Sequence, residues 1–165
     1  MDKYYYLVTQ LPLLTFDQQV EYSSENFLAE AKKWLSSNDY ASLAAVDLHK
    51  LASMPVKPAV LQQYLNFENK LRQELAEWRM AKKKNSDYKL ETIANSVLTE
   101  GTPLDVEKRL LRLRWDYIEE LALVHYFDIE FLILYMLKLQ ILERIASFDK
   151  EIGLETFQKL CKVEI

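Results

Sequence analysis

Glycine stands at only two positions of this chain, 101 and 153, and proline at only four, 12, 55, 58 and 103. Sheets turn on glycine and proline, so a chain with so little punctuation has few ways to close hairpins, whereas long helices need none. With half of its 165 residues apolar and 28% charged, the chain has the composition of an ordered body, long enough to bury a core. These numbers predict an all-α fold: a single helical domain over residues 1–165, built as a multi-helix bundle of long antiparallel helices.

One stretch resists that reading. KYYYLVTQLP, residues 3–12, is an aromatic and β-branched run closed by a proline, the composition of a strand. Residues 1–14 are therefore expected to form a short strand-like or extended aromatic head, either a docking strand or an N-terminal helix start packed across the bundle. A lone strand leaves backbone groups unpaired and needs a partner edge or a cover.

Residues 15–98 read as the N-terminal helices. Thr15 and Gln18 have the spacing of a capping box around Phe16 and Asp17. Ser23 or Ser24 caps a helix over residues 25–35, with Phe27, Leu28, Ala31, Trp34 and Leu35 on one stripe. SSND, residues 36–39, breaks it and caps a helix carrying Tyr40, Leu43, Ala44, Leu48 and Leu51, which stops near Pro55. Pro58 suits the start of a long helix to about Lys84, with Val60, Leu61, Tyr64, Leu65, Leu71, Leu75 and Trp78 at threes and fours, Phe67 beside the stripe and a gap at polar Glu68. Residues 88–98 carry a weaker helical pattern around Leu90, Ile93, Ala94, Val97 and Leu98.

Residues 99–103, TEGTP, are the clearest loop. The C-terminal helices, residues 104–165, follow. The chain runs helically from Leu104 to about Asp149, with Leu111, Trp115, Ile118, Ala122 and His125 on one stripe and Leu110, Leu113, Tyr117, Leu121 and Val124 beside it. Asp128 is placed to cap a second helix after Phe127, which gives either a kink or a helix-to-helix turn. FDIEFLILYMLKLQIL, residues 127–142, has an unbroken apolar run of only seven residues, FLILYML, against the roughly 20 that a bilayer core requires. It reads as a central core helix that is apolar nearly all round. The last segment places Leu154, Phe157, Leu160 and Cys161 on one side.

Known chemistries are largely excluded. A phosphate loop or a dinucleotide fingerprint needs glycines that the chain lacks. Cys161, His49 and His125 cannot make a spaced Cys/His zinc cluster, and neither histidine follows a glutamate at the interval of a di-iron bundle, so no metal or cofactor is expected. His125, on an apolar stripe, reads as a packed histidine donating to a carbonyl, His49 as a surface residue and Cys161 as a small hydrophobe. The single cysteine predicts no internal disulfide and a cytoplasmic setting, and Asp2 and Lys3 followed by tyrosines predict no secretory signal. A net charge of −4 argues against a nucleic-acid partner. Lys82, Lys83 and Lys84 read as a solvated helix end or a small basic patch. Lys108, Arg109, Arg112 and Arg114 precede Asp116, Glu119 and Glu120, which reads as a salt-laced face or as a docking surface for a charged partner.

The head KYYYLVTQLP, then NFL, WLSSNDYASL, RWDYIEEL, YFDIEFLILYMLKLQILER and FDKEIG together resemble a family of small bacterial helical proteins associated with vacuolar/archaeal-type (V/A-type) rotary ATPases. A fainter similarity, carried by SSNDYASL at residues 36–43, extends to the C subunit of that enzyme, called d in the vacuolar forms, a helical socket between the central stalk and the membrane rotor ring. This chain has about half the length of that three-part subunit. The resemblance implies a non-catalytic structural or coupling subunit or accessory protein, without cofactors, in the cytoplasm and at the membrane only through the ATPase subunits it binds. Tyr4, Tyr5, Tyr6, Lys82, Lys83, Lys84, Arg109, Arg112 and Arg114 are the candidate interaction residues. Two alternatives remain: a helical protein–protein adaptor unrelated to the ATPase, and an enzyme whose site is assembled from His125, Asp128 and Glu130.

Overall fold

The computed structural model of the protein describes residues 2–16, 18, 21–51, 58–148 and 150–161, with residues 2, 3, 150–152, 156, 157 and 159 described by their backbone alone. Among the described residues there are eight helices and no strand: α1 (Asp2–Gln10), α2 (Ser24–Trp34), α3 (Ser37–Ala44), α4 (Ala59–Lys83), α5 (Asn95–Thr99), α6 (Pro103–Ala122), α7 (Ile129–Ala146) and α8 (Lys150–Cys161). The protein is an all-α helical bundle.

Helix α7 is its axis. Residues 132 to 137 are all buried, as are Leu139 and Ile141. Six consecutive positions exceed one turn of about 3.6 residues, so every direction around the helix is covered. The cover comes from α2, α3, α4 and α6, each of which packs on α7. Phe27 of α2 meets Tyr135 with ring centroids 5.1 Å apart, and Trp115 and Ile118 of α6 and Leu61 and Tyr64 of α4 join the same core. No helix among the described residues is long and apolar enough to cross a membrane.

The aromatic head is not extended: residues 2–10 are the helix α1. Leu7 is fully buried, and Tyr4, Val8 and Leu11 pack against the core. The set 4, 7, 8 and 11 is one face of a helix, and a strand would have paired 4 with 6 and 8 instead. Burial of that face outweighs the weak strand preference of three tyrosines. After α1, the Pro12 carbonyl accepts a hydrogen bond from Tyr135 Oη at 2.8 Å.

Several expected starts and stops are where the caps place them. Ser23 caps α2, accepting from Asn26 N–H at 3.1 Å, Ser36 caps α3, and Asp128 caps α7, accepting from Phe131 N–H at 2.8 Å. Between α6 and α7 there is a helix-to-helix turn, residues 123–128, and not a kink. Gly101 has φ +78°, and a Cβ there would stand 2.8 Å from Asp105 Oδ2, the carboxylate that closes a capping box with Thr102 at the start of α6. Only glycine fits that turn.

Other expectations fail. Thr15 starts no helix: Gln18 N–H bonds back to its carbonyl in a turn, and Asp17 lies outside the described residues. α3 ends at Ala44, and Leu48 and Leu51 are buried from the chain that follows it, at a turn and a 3-10 position; Pro55, the expected stop, lies outside the described residues. That chain is held by the Gln140 side chain of α7, which accepts from Leu48 N–H and donates to the Val46 carbonyl, both at 2.8 Å. Of residues 88–98 only 95–98 are helical, as the first part of α5. The preceding loop is tied instead by the buried Glu74 carboxylate, which accepts the N–H groups of Glu91 and Thr92. α7 stops at Ala146; Asp149, where the helix was expected to end, lies outside the described residues. In α8, Leu154, Leu160 and Cys161 are exposed rather than packed, and the Phe157 side chain lies outside the described residues.

The polar gap at Glu68 is a buried junction. Glu68 is 4% exposed in mid-α4, beside the ring of Phe67, which stacks on Tyr117 of α6 at 4.1 Å. Its carboxylate receives two hydrogen bonds from Arg114 of α6, Nε at 2.8 Å and Nη2 at 3.0 Å, and one from Arg72 at 2.6 Å. On α4 it lies between Tyr64 and Leu65 of the main core and Leu71 and Leu75 of a smaller core shared with Ile93 and Leu110. Desolvation alone would raise its pKa, but the Arg114 and Arg72 guanidinium groups over-compensate and hold it below the usual carboxylate range.

Glu68→Gln is expected to lower unfolding free energy by about 2–3 kcal/mol, because it leaves the Arg114 charge poorly compensated in the interior. A paired Glu68→Leu, Arg114→Met replacement is expected to recover most of that loss in urea denaturation. The pH dependence has a definite sign. A carboxylate with a depressed native pKa contributes stability above its unfolded pKa and loses it as pH falls through the native value. Stability is therefore expected to decline below the ordinary glutamate value of 4.5, and less steeply in the paired variant, as followed by urea midpoints against pH.

Candidate interaction surface

The tyrosine helix sorts its rings by helical angle. Tyr4 turns inward and donates its hydroxyl to Asp39 Oδ2 at 3.0 Å, joining α1 to the start of α3. Tyr5 and Tyr6 turn outward, each 52% exposed. Tyr6 stacks on Trp34 at the end of α2 with centroids 5.6 Å apart and planes 19° from parallel. Tyr5 meets Tyr6 edge-on at 6.0 Å and lies 5.2 Å from Phe127, in the turn between α6 and α7. Trp34 is 38% and Phe127 49% exposed.

Four rings from three separate parts of the chain thus form one exposed ladder, Trp34–Tyr6–Tyr5–Phe127. Tyr126, Leu123 and Val124, in the same turn as Phe127, are exposed as well. Tyr126 Oη donates to the Leu123 carbonyl at 2.9 Å, which holds that turn in shape. Exposed aromatic area on a rigid base has the composition of an interface core, and rings already ordered by one another lose little entropy when a partner covers them.

The basic candidates do not join the ladder. Arg109 directs Nη1 to the carbonyls of Ser96, Val97 and Glu100, at 3.3, 3.5 and 2.7 Å, satisfying the end of α5. Arg112 pairs with Asp116 at 2.9 Å and lies over the ring of Phe16 at 5.0 Å. Arg114 is the partner of Glu68. Lys82, Lys83 and Lys84 are exposed at the end of α4, with Lys82 over Trp78 at 5.6 Å. Within the basic block of α6, Arg114 thus serves the interior, Arg109 the neighbouring loop, and Arg112 an exposed pair on the same helix.

Trp34 and Phe127 are the members that sequence reasoning missed. Trp34 falls on the stripe of Phe27 and Ala31, and only its place in the last turn of α2, after Lys32 and Lys33, frees it. Val124 likewise belongs to a buried stripe only if α6 continues past Ala122. The Asp128 cap already implies that it does not.

A cleft of about 230 Å³ lies between the exit of α1 and α7, lined mainly by Val8, Leu11, Leu14, Phe131 and Leu134. The charged group among its described lining residues, Lys138, is taken up by Glu119 at 3.1 Å and by the face of Trp115 at 4.8 Å. The described residues of the cleft therefore present apolar walls without converging acids or a nucleophile.

His125 is not a packed histidine on a continuous helix. It stands in the α6–α7 turn, half-buried, with Nδ1 2.7 Å from Asp128 Oδ2. Glu130 is nearby: one ligand atom from each of His125, Asp128 and Glu130 lies within 4.8 Å of the others.

No curated protein and no solved structure matches the chain. A family model described as "Protein of unknown function (DUF2764)" matches residues 88–163, so the chain is similar to that family over α5, α6, α7 and α8, somewhat less than half of its length.

Proposed function

We propose that the protein is a non-catalytic helical subunit or accessory protein of a V/A-type rotary ATPase, similar in role to the C/d subunit, that docks on its partner through the Trp34–Tyr6–Tyr5–Phe127 ladder. The observation that carries the docking part is the ladder itself, four exposed rings spaced between 5.2 and 6.0 Å. That spacing is close to the rise of one helical turn, about 5.4 Å, so a partner helix laid along the ladder sets one apolar side chain against each gap. The ATPase part is supported by the resemblance of WLSSNDYASL, RWDYIEEL and YFDIEFLILYMLKLQILER. The partners are then the central stalk and the membrane rotor ring, and contact with the membrane runs through them. A solid apolar core with its outer rings held in place suits a part that keeps geometry or transmits torque.

Affinity capture from native membranes at low salt tests both parts. The wild-type chain is expected to recover the nucleotide-binding and stalk subunits, and a Tyr6→Ser, Trp34→Ser variant at least about thirtyfold less, since one buried interface aromatic is worth about 2 kcal/mol or more. Both side chains are half-open, so the variant is expected to keep its stability to within about 1 kcal/mol. Recovery of an unrelated protein alone would favour an adaptor, and equal recovery by the variant would remove the ladder from the interface.

A further inference from the structure

We propose that His125, Asp128 and Glu130 form a binding site for a divalent transition cation of the zinc type, at the turn between α6 and α7. The inference is independent of the ATPase reading. The three side chains are half-buried, and one donor atom from each lies within 4.8 Å of the other two. Asp128 divides its carboxylate: Oδ1 accepts Phe131 N–H at 2.8 Å and caps α7, while Oδ2 faces His125 Nδ1 at 2.7 Å. The side chain of Glu130, in the first turn of α7, makes no ion pair or hydrogen bond with the described residues. Among the described residues no lysine or arginine pairs with either carboxylate, and the titratable group that pairs with Asp128 is the imidazole of His125.

Donor chemistry selects the cation. One imidazole nitrogen and two carboxylate oxygens suit zinc and its neighbours, whereas calcium and magnesium favour all-oxygen shells. With metal–ligand distances near 2.1 Å, donors of a tetrahedral site stand roughly 3.3 Å apart. The His125–Asp128 contact, at 2.7 Å, is a hydrogen bond that a metal held by these two atoms replaces, displacing its proton and opening the pair by about 0.6 Å, while the Glu130 donor closes in from its place within 4.8 Å of the others. The N-terminus of α7 opposes a cation with about half a positive charge, but the two carboxylates contribute a formal charge of −2, so attraction wins. Three protein donors leave a fourth position open, the pattern of a site that holds water or receives a donor from elsewhere.

The test is calorimetric titration of zinc ions into the full chain at neutral pH in a non-coordinating buffer, with cobalt absorption as a second readout. One zinc per chain is expected, bound at least about tenfold more weakly by His125→Gln and by Glu130→Gln, unchanged in His49→Gln, and not displaced by an equal concentration of magnesium. Asp128 is left intact because it caps α7, and circular dichroism of each variant checks that the helices persist. The proposal is overturned by the absence of zinc binding in the wild-type chain, by wild-type affinity in both the His125 and Glu130 variants, or by equal competition from magnesium.

Discussion

A helix that is apolar on every face cannot sit at a surface, and α7 imposes that condition on the rest of the chain. Residues 132–137 project in all directions and each must be taken out of water. Burying one leucine or isoleucine side chain is worth about 1.5–3 kcal/mol, far more than the preference of any short neighbouring segment for one conformation over another. The arrangement of α2, α3, α4 and α6 around α7 follows from that demand, and α1 closes over α2 with Leu7. The same hierarchy explains why three consecutive tyrosines accept a helix.

Glycine scarcity then shapes how the chain turns. Gly101 serves one loop through its positive φ, and Asn85 adopts positive φ after α4. Elsewhere, side chains from the helices take over backbone groups that no regular structure satisfies. Gln140 holds residues 46–48, Glu74 holds residues 91–92, Arg109 holds the end of α5, and Glu143 receives the N–H and hydroxyl of Ser24. Polar side chains on these helices, buried in Glu74, half-buried in Gln140 and Arg109 and exposed in Glu143, are therefore anchors for loops and helix ends. Glu68 does the same between helices: it faces a guanidinium whose geometry matches it in two hydrogen bonds, which fixes the axial register of α4 on α6.

Much of this was legible in the sequence. The core role of α7, the caps at Ser23, Ser36 and Asp128, and the loop at Gly101 all follow from local rules, because each depends on neighbours within a few residues. The head was misread because its composition was weighed before its period, although the 4, 7, 8 and 11 pattern was present. Glu68 read as a gap in a stripe, and the anchoring roles of Glu74 and Gln140 gave no signal, since, Arg72 apart, the partners of these three lie 17 to 94 residues away. A long-range polar contact leaves no periodic trace. The ladder was half visible through Tyr5 and Tyr6, but Trp34 and Phe127 join it only when three distant elements meet.

Those three elements divide unevenly between the parts of the chain. The family match covers residues 88–163, and of the four ladder rings only Phe127 falls within it. The other three belong to α1 and α2, so a chain sharing only the matched region would keep the α7 sequence and the His125–Asp128–Glu130 turn but have just one ring of the ladder. The two surfaces are chemically separate for the same reason. One is apolar and assembled across the fold, and the other is polar and local to a turn that a six-residue segment encodes. Phe127 lies within that turn and in contact with Tyr5, so the turn that orders the carboxylates also sets the last rung of the ladder, and a change in its conformation would be felt at both surfaces.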